Sequence, residues 1–277
     1  MDQYAVIGHP IAHSKSPRIH AAFASQTAQP LEYQALLAPL DGFVAAVQAF
    51  RAAGGLGMNV TVPFKLEAFA LADRHTARAQ TAGAVNTLAF DESGILGDNT
   101  DGAGLVRDLV HNLQCPLAGR RILLLGAGGA ARGAMLPLLQ AAPSSLTLAN
   151  RTESKAAELV RTFGHYAGAI ELHASSYCAL AGAQFDVVIN ATSASLAAEA
   201  PPLPDGIYAQ DALAYDMMYG SSDTAYMQSA RAAGASRVAD GLGMLVEQAA
   251  ESFALWRGVR PLTAPVLTAL RNELRPA

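Results

Sequence analysis

Apolar positions along the 277-residue chain fall into two kinds of pattern. Short continuous runs alternate with longer stretches in which apolar residues recur three and four apart. The runs predict buried strands, and the spaced stretches predict helices with one apolar face. Tyr4–Gly8, Leu31–Leu36 and Gly55–Val60 read as strands. Between them, Ile19, Ala22 and Phe23 share one helical face, as do Phe43, Val47 and Phe50. Ser16 is expected to cap the first of these helices, with Pro17 at its first position, and Asp41 to cap the second. A helix through Phe69 and Leu71 follows the segment Thr61–Lys65. Val85–Phe90 and Ile95–Gly97 read as a hairpin around Asp91–Gly94, and a helix carrying Leu105, Leu109 and Leu113 starts at Asn99–Gly102.

A second series begins with Arg121–Gly126, the most sharply defined strand. Further strands are expected near Leu146–Ala149, Ala169–Leu172, Phe185–Asn190, Leu213–Asp216 and Arg237–Ala239, with helices between several of them. Pro201, Pro202 and Pro204 mark a loop, and two helices, Gly243–Trp256 and Ala264–Leu274, close the chain. Strands alternating with helices predict an α/β protein with mostly parallel sheets. The natural boundary lies near Gly102–Leu113. Pattern alone leaves the last two helices free to join either half.

Composition narrows the function classes. Hydrophobic residues make up 51% of the chain, much of it alanine, which suits cores built by close helix packing. Charged residues are only 15% and the net charge is −4, so no basic face for nucleic acid is expected. Cys115 and Cys178 form no CxxC, and the histidines form no HExxH, so neither a disulfide framework nor a metal site is expected. The N-terminal run MDQYAVIGHP lacks the charged and apolar regions of a signal peptide, and no apolar stretch is long enough to span a bilayer. A soluble cytoplasmic protein is the expectation.

The strand Arg121–Leu125 runs into Gly126-Ala127-Gly128-Gly129-Ala130-Ala131, which opens a helix. Gly126 permits a tight turn. Gly128 lets the backbone approach a pyrophosphate, which then rests on free N–H groups at the positive end of the helix dipole. The third position of this GxGxxG/A pattern is Ala131, small enough for close helix–strand packing. A tight turn with no ligand is the plain alternative; the order strand, motif, helix, strand favours a dinucleotide. The next strand ends in Asn150-Arg151-Thr152, with Lys155 one turn on. NAD sites place an acidic residue there for the ribose hydroxyls. A guanidinium and an ammonium instead suit a 2′-phosphate, which points to NADP(H) rather than to a solvated surface arginine.

In the first half, Ser14-Lys15-Ser16-Pro17 offers two hydroxyls and a helix N-terminus to a carboxylate, although helix capping is the commoner use of such serines. Lys65, Asn86 and Asp101 each have an ordinary reading, as a surface charge, a turn amide and a helix cap. Their joint occurrence changes that. Val6–Pro10, Ser14–Pro17, Asn59–Lys65, Gly83–Thr87, Asn99–Gly102, Gly126–Ala131, Asn150–Thr152, Asn190–Ser193, Tyr215–Tyr219 and Gly241–Gln248, in this order, resemble the shikimate dehydrogenase family over nearly the whole chain.

The resemblance implies reversible reduction of 3-dehydroshikimate to shikimate with NADPH, a step of aromatic amino acid biosynthesis. It implies a substrate domain at 1–101 completed by helices at 242–277, and a Rossmann-like doubly wound NADP domain at 102–241. It places Ser14 and Ser16 on the substrate carboxylate, and Thr61, Lys65, Asn86, Asp101, Tyr219 and Gln248 around the ring, with Lys65 and Asp101 as the catalytic pair. Gly126, Ala127, Gly128, Gly129, Ala130, Asn150, Arg151, Thr152, Lys155, Thr192, Ser193, Met217 and Gly241 are implied to line the cofactor. The small-molecule substrate is the expected partner, and a homodimer is compatible with the chain. Two departures stand out: Ala194-Ser195-Leu196 lacks the family's nearby glycine, and Thr224-Ala225 replaces Thr-Pro. A quinate/shikimate enzyme and a non-catalytic sensor on the same scaffold are the competing readings. The first more often carries an acidic residue where Arg151 stands, and the second would lack Lys65 or Asp101.

Overall fold

The computed structural model describes residues 1–192 and 199–274. The chain forms two compact units, Met1–Gly104 with Val246–Val266, and Leu105–Leu245 with the chain from Leu267 on.

The first unit is built on β1 (Asp2–Gly8), β2 (Leu31–Leu37), β3 (Gly55–Val60), β4 (Arg74–His75), β5 (Thr87–Asp91) and β6 (Gly94–Asp98), in the order β2-β1-β3-β5-β6-β4. β1 runs parallel to β2 and β3, whereas β5 is antiparallel to β3 and also to β6, to which a tight hairpin joins it. Helices α1 (Ser16–Thr27), α2 (Phe43–Ala52), α3 (Lys65–Leu71), α4 (Ala77–Ala82) and the start of α5 (Asp101–Arg107) follow the strands. Ala5, Ile7, Met58, Val60 and Leu88 from the sheet pack with Phe43, Val47 and Phe64 into one core.

The second unit carries β7 (Arg121–Leu125), β8 (Ser145–Ala149), β9 (Glu171–Ser175), β10 (Phe185–Asn190), β11 (Tyr208–Asp216) and β12 (Arg237–Ala239), with α6 (Gly129–Gln140), α7 (Glu153–Phe163) and α8 (Ala225–Ala232). All neighbours are parallel in the order β12-β11-β10-β7-β8-β9. This is the doubly wound order, and its switch point lies between β7 and β10, where such sheets take ligands. The alternation within β7 feeds two cores: Ile122 and Leu124 pack to one face, Leu123 and Leu125 to the other.

Helices α9 (Leu242–Arg257) and α10 (Ala264–Leu274) close the fold. The expected single C-terminal piece, 242–277, is divided: only Val246–Val266 belongs to the first unit. Both flanks are tied to the second. A Cβ on Gly243 would meet the Asp108 carboxylate within 2.4 Å, and Arg271 forks onto Asp240 at 2.7 Å from each nitrogen. Two expected caps also differ. Ser16 is already the first helical residue, and Gly42 rather than Asp41 precedes α2, neither helix having a side-chain cap. The strand expected at 169–172 is displaced to Glu171–Ser175, because Gly168 turns with φ of 57° just after a short 3-10 turn. Among the described residues no helix is long and apolar enough to cross a membrane.

Candidate active site

In the first unit, β1 and β3 end side by side. The Thr61 N–H donates to the Ile7 carbonyl, and a Cβ on Gly8 would lie 2.4 Å from Thr61 Cγ2, so only glycine lets the threonine sit there. The turn Thr61–Phe64 then delivers Lys65 at the start of α3. Its Nζ lies 2.6 Å from Asp101 Oδ2, the side chains being 32% and 18% exposed. The pair is therefore open to a ligand yet partly shielded from water. Asp101 begins α5, where its backbone N–H donates to Asn99 Oδ1.

Asn86, buried, joins this pair to its surroundings. Its Nδ2 donates to Asp101 Oδ1 (2.8 Å), Thr100 Oγ1 (2.9 Å) and Gln248 Oε1 (3.3 Å). Gln248 reaches this point because Gly104 has no side chain; a Cβ there would stand 2.6 Å from the Gln248 backbone nitrogen. The segment before Asp101 is anchored by a charge pair that sequence reasoning missed. Arg78 forks onto the buried Asp98 at 2.7 and 2.6 Å, and Asp98 Oδ1 also accepts from the Asn99 N–H. Burial alone would raise the Asp98 carboxyl, but the Arg78 fork holds it below its ordinary value.

Ser14 and Ser16 stand after β1. The Ser14 hydroxyl accepts from the Ser16 N–H at 3.3 Å, so Ser14 rather than Ser16 serves the helix start. Ser16 is buried beside Tyr33, whose phenol is held well above its ordinary value by burial, with the Ser16 hydroxyl opposing. Thus the structure gathers Lys65, Asp101, Asn86 and Gln248 into one hydrogen-bonded group, with Thr61, Ser14 and Ser16 at neighbouring strand ends of the same unit. Tyr219 is carried by the second unit, in the loop after β11, where burial and then Asp240 raise its phenol.

In the second unit, Gly126 takes φ of 102°, and a Cβ there would crowd Thr192 Cγ2 at 3.0 Å and the Ala191 carbonyl at 3.2 Å. Gly128 and Gly129 differ: a Cβ on either would meet nothing within 4 Å. Neither packing nor a positive φ demands glycine at these two positions. They border open space at the N-terminus of α6, whose first-turn N–H groups lack helical acceptors. That is a cradle fitted to a pyrophosphate. Ala127 and Ala130 flank it.

Arg151, Thr152 and Lys155 are exposed beyond β8, with the Asn150 amide donating to the Thr152 carbonyl at 2.8 Å. Thr152 stands at the cap position of α7 but makes no side-chain cap bond, so its hydroxyl is available to a ligand. Gly241 is required by the fold itself, because a Cβ would lie 2.2 Å from the Met217 carbonyl oxygen. Ser193 and the departure at Ala194-Ser195-Leu196 lie outside the described residues.

The other departure is explained. Buried Asp216 accepts from Asn190 Nδ2 (3.1 Å) and from the Thr224 hydroxyl (2.6 Å), while Thr224 Oγ1 accepts from the Met227 N–H and caps α8. The threonine of the motif keeps its work with Ala225 in the place of proline. The Asn190–Asp216–Thr224 lock was not foreseen; an asparagine and an aspartate ending adjacent strands were the only signal.

A doubly wound parallel sheet with an open glycine cradle, together with a lysine–carboxylate pair at strand ends of an α/β unit, defines a dinucleotide-dependent oxidoreductase. Comparison with known proteins identifies which kind. Residues 6–88 match the shikimate dehydrogenase substrate binding domain, 108–198 the shikimate / quinate 5-dehydrogenase family, and 241–271 the shikimate 5′-dehydrogenase C-terminal domain. The NADP(+) shikimate dehydrogenase of Aromatoleum aromaticum is 68% identical, over 99% of this chain and 98% of its own. That of Nitrosospira multiformis is 60% identical with the same coverage. Among solved structures, an Ael1 enzyme from Pseudomonas putida is 53% identical with a TM-score of 0.92, covering 100% of this chain and 99% of its own. Shikimate 5-dehydrogenase from Thermus thermophilus, in complex with NADP(H) and shikimate, is 32% identical with a TM-score of 0.83, covering 98% and 99%. The chain belongs to the shikimate dehydrogenase family.

Proposed function

We infer that this protein catalyses the reversible NADPH-dependent reduction of 3-dehydroshikimate to shikimate, the step that its relatives' name denotes. The observation that carries the catalytic assignment is the 2.6 Å contact between Lys65 Nζ and Asp101 Oδ2, with the Asn86 amide on the other carboxylate oxygen. When bound, the reduced nicotinamide supplies hydride to the carbonyl carbon. Negative charge then grows on the carbonyl oxygen. The Lys65 ammonium stabilises that charge and gives its proton to the oxygen; in the oxidative direction neutral Lys65 takes the proton back. Asp101 holds the ammonium by one oxygen and can accept from an adjacent substrate hydroxyl.

Ser14 and Ser16 are assigned to the substrate carboxylate, and Thr61, Asn86, Gln248 and Tyr219 to the ring. Gly126 through Ala130 are assigned to the pyrophosphate, and Asn150, Arg151, Thr152 and Lys155 to the adenosine end with its 2′-phosphate. Thr192, Ser193, Met217 and Gly241 complete the cofactor set. The exposed cationic pair Arg151 and Lys155, in place of an acidic residue, supports NADP over NAD. A small polar substrate, a cytoplasmic setting and no nucleic-acid partner complete the proposal. The test is NADPH formation with shikimate, quinate and a simple 2-hydroxy acid side by side. A clear preference for shikimate is expected, and comparable efficiency with quinate would move the protein to the quinate/shikimate relatives.

A further inference from the structure

The lysine–carboxylate pair is the end of a longer hydrogen-bonded chain, and the polarity of that chain is fixed by two backbone groups. The Thr100 N–H can only donate, and it donates to Asn86 Oδ1 at 2.9 Å. This forces the Asn86 NH2 toward Asp101 Oδ1, 2.8 Å away. The Asn86 carbonyl can only accept, and it faces Asn59 Nδ2 at 3.3 Å. This forces the Asn59 side-chain oxygen toward Tyr33, whose hydroxyl must then donate to it at 2.8 Å. Between the two amides stands Thr87, which is completely buried. Its Oγ1 accepts from Asn59 Nδ2 at 3.1 Å and donates to Asn86 Oδ1 at 2.9 Å. The sequence of donors is Tyr33, Asn59, Thr87, Asn86, and each points toward Asp101. Ser252, also completely buried, braces the middle: it accepts from Asn59 Nδ2 at 2.9 Å, and its own proton can go to the Gln248 carbonyl at 3.1 Å or to Thr87 Oγ1 at 2.8 Å, the latter leaving the Thr87 proton for Asn86 Oδ1.

A one-way chain of this kind has a chemical consequence. The amide presented to Asp101 is a donor, so this carboxylate oxygen is held in place as an acceptor, and each link polarises the next. A carboxylate fixed in this way is what holds Lys65 Nζ at 2.6 Å. We propose that Thr87 and Asn59 are positioning residues for the reaction, acting through Asn86 to keep the Asp101 carboxylate a hydrogen-bond acceptor aimed at Lys65. The proposal rests on the reading of Lys65 and Asp101 as the catalytic pair, and the test separates the two.

The experiment compares steady-state shikimate oxidation in Thr87→Val, Thr87→Ser and Asp101→Asn, with kcat and KM read separately. Thr87→Val keeps the shape and removes the hydroxyl. Its kcat is expected to fall about tenfold, corresponding to ~1.4 kcal/mol lost from the transition state, with little change in KM for shikimate. Thr87→Ser restores the hydroxyl and is expected to restore kcat. Wild-type kcat in Thr87→Val, with Asp101→Asn inactive, would overturn the proposal. So would a serine variant as impaired as the valine, since that indicates a packing role. Wild-type turnover in Asp101→Asn would instead remove the catalytic pair itself. Should Thr87→Val fail to fold, Tyr33→Phe carries the same test from the far end of the chain. A smaller fall in kcat at unchanged KM is expected, and wild-type kcat overturns the proposal.

Discussion

At the scale of single residues, side-chain identity alone does not distinguish a catalytic lysine from a surface one. Lys65 is distinguished by being one third exposed while its ammonium is held at 2.6 Å by a carboxylate that a buried amide also grips. Lys65→Ala is therefore expected to lower kcat by about 10² or more, the scale of a positioned proton donor, with a smaller effect on KM for shikimate. Stopped-flow and steady-state NADPH absorbance measure both, and near-normal turnover would remove the mechanism. Arg151 carries the second residue-scale prediction. It is exposed, so its worth comes from a ligand's charge rather than from folding. Wild-type kcat/KM is expected to favour NADP over NAD by at least about tenfold, which needs only ~1.4 kcal/mol of differential binding. Arg151→Ala should erode the preference by raising KM for NADP alone, and added salt should act in the same direction. Equal losses with both cofactors would show that Arg151 does not read the 2′-phosphate.

Elements position these residues through contacts that no local pattern displays. α8 is an example: eight residues long, it is set by Thr224, which caps it and also donates to Asp216 at the end of β11. The same carboxylate accepts from Asn190 at the end of β10 and from the Met218 N–H, so one buried group ties three segments around the sheet's carboxyl end. Thr224→Val removes both the cap and a hydrogen bond to a buried carboxylate. A stability loss of about 2 kcal/mol or more is expected from chemical denaturation, since a cap contributes roughly 1 kcal/mol and a bond to a charged group 1.5–3 kcal/mol, not fully additively. KM for NADP should rise with it, because Met217 belongs to the loop being held. Thr224→Ser should recover most of both. A variant as stable as wild type, with an unchanged KM, would show that the lock does not organise the loop.

On the scale of the whole molecule, the buried polar groups set the response to acid. His20 is completely buried, its ring stacks on Tyr33 at 4.2 Å, and among the described residues neither ring nitrogen has a hydrogen-bond partner. Burial lowers its pKa to about 3, with Asn59, outside hydrogen-bond geometry, opposing. The unfolded chain takes up the proton near pH 6.5, so the contribution of neutral His20 is complete above that value and is lost as pH falls toward 3. Asp98, held low by Arg78 against its own burial, acts only below the ordinary carboxylate range. The window between pH 6.5 and about 4 therefore belongs to His20 rather than Asp98. Stability is expected to drop by about 2 kcal/mol from pH 6.5 to pH 5, and His20→Phe, which keeps a flat ring, should flatten that slope. Trp256, the single tryptophan, lies 5.4 Å from the His20 ring and reports urea unfolding of this unit by fluorescence. An equal acid slope in the variant would rule His20 out as its source.

The sequence alone determined what short range decides. Strand and helix order followed from periodicity, because burying one face dictates the spacing within a segment. The glycine turn and the cationic pair after β8 were legible because their chemistry lies within a few neighbouring residues. The antiparallel pairing of β5 with β3, the hydrogen bond from the Ser16 N–H to the Ser14 hydroxyl at the start of α1, the division of α9 and α10 between the units, and the chain from Tyr33 to Asp101 were decided only in the tertiary structure. Tyr33 and Asn59 are 26 positions apart, and Asn59 and Ser252 are 193 apart. Each sits in an ordinary local pattern. What makes them partners is that a buried amide or hydroxyl must find a hydrogen bond wherever the packed backbone brings one within reach, and only the assembled sheet and helices fix that place.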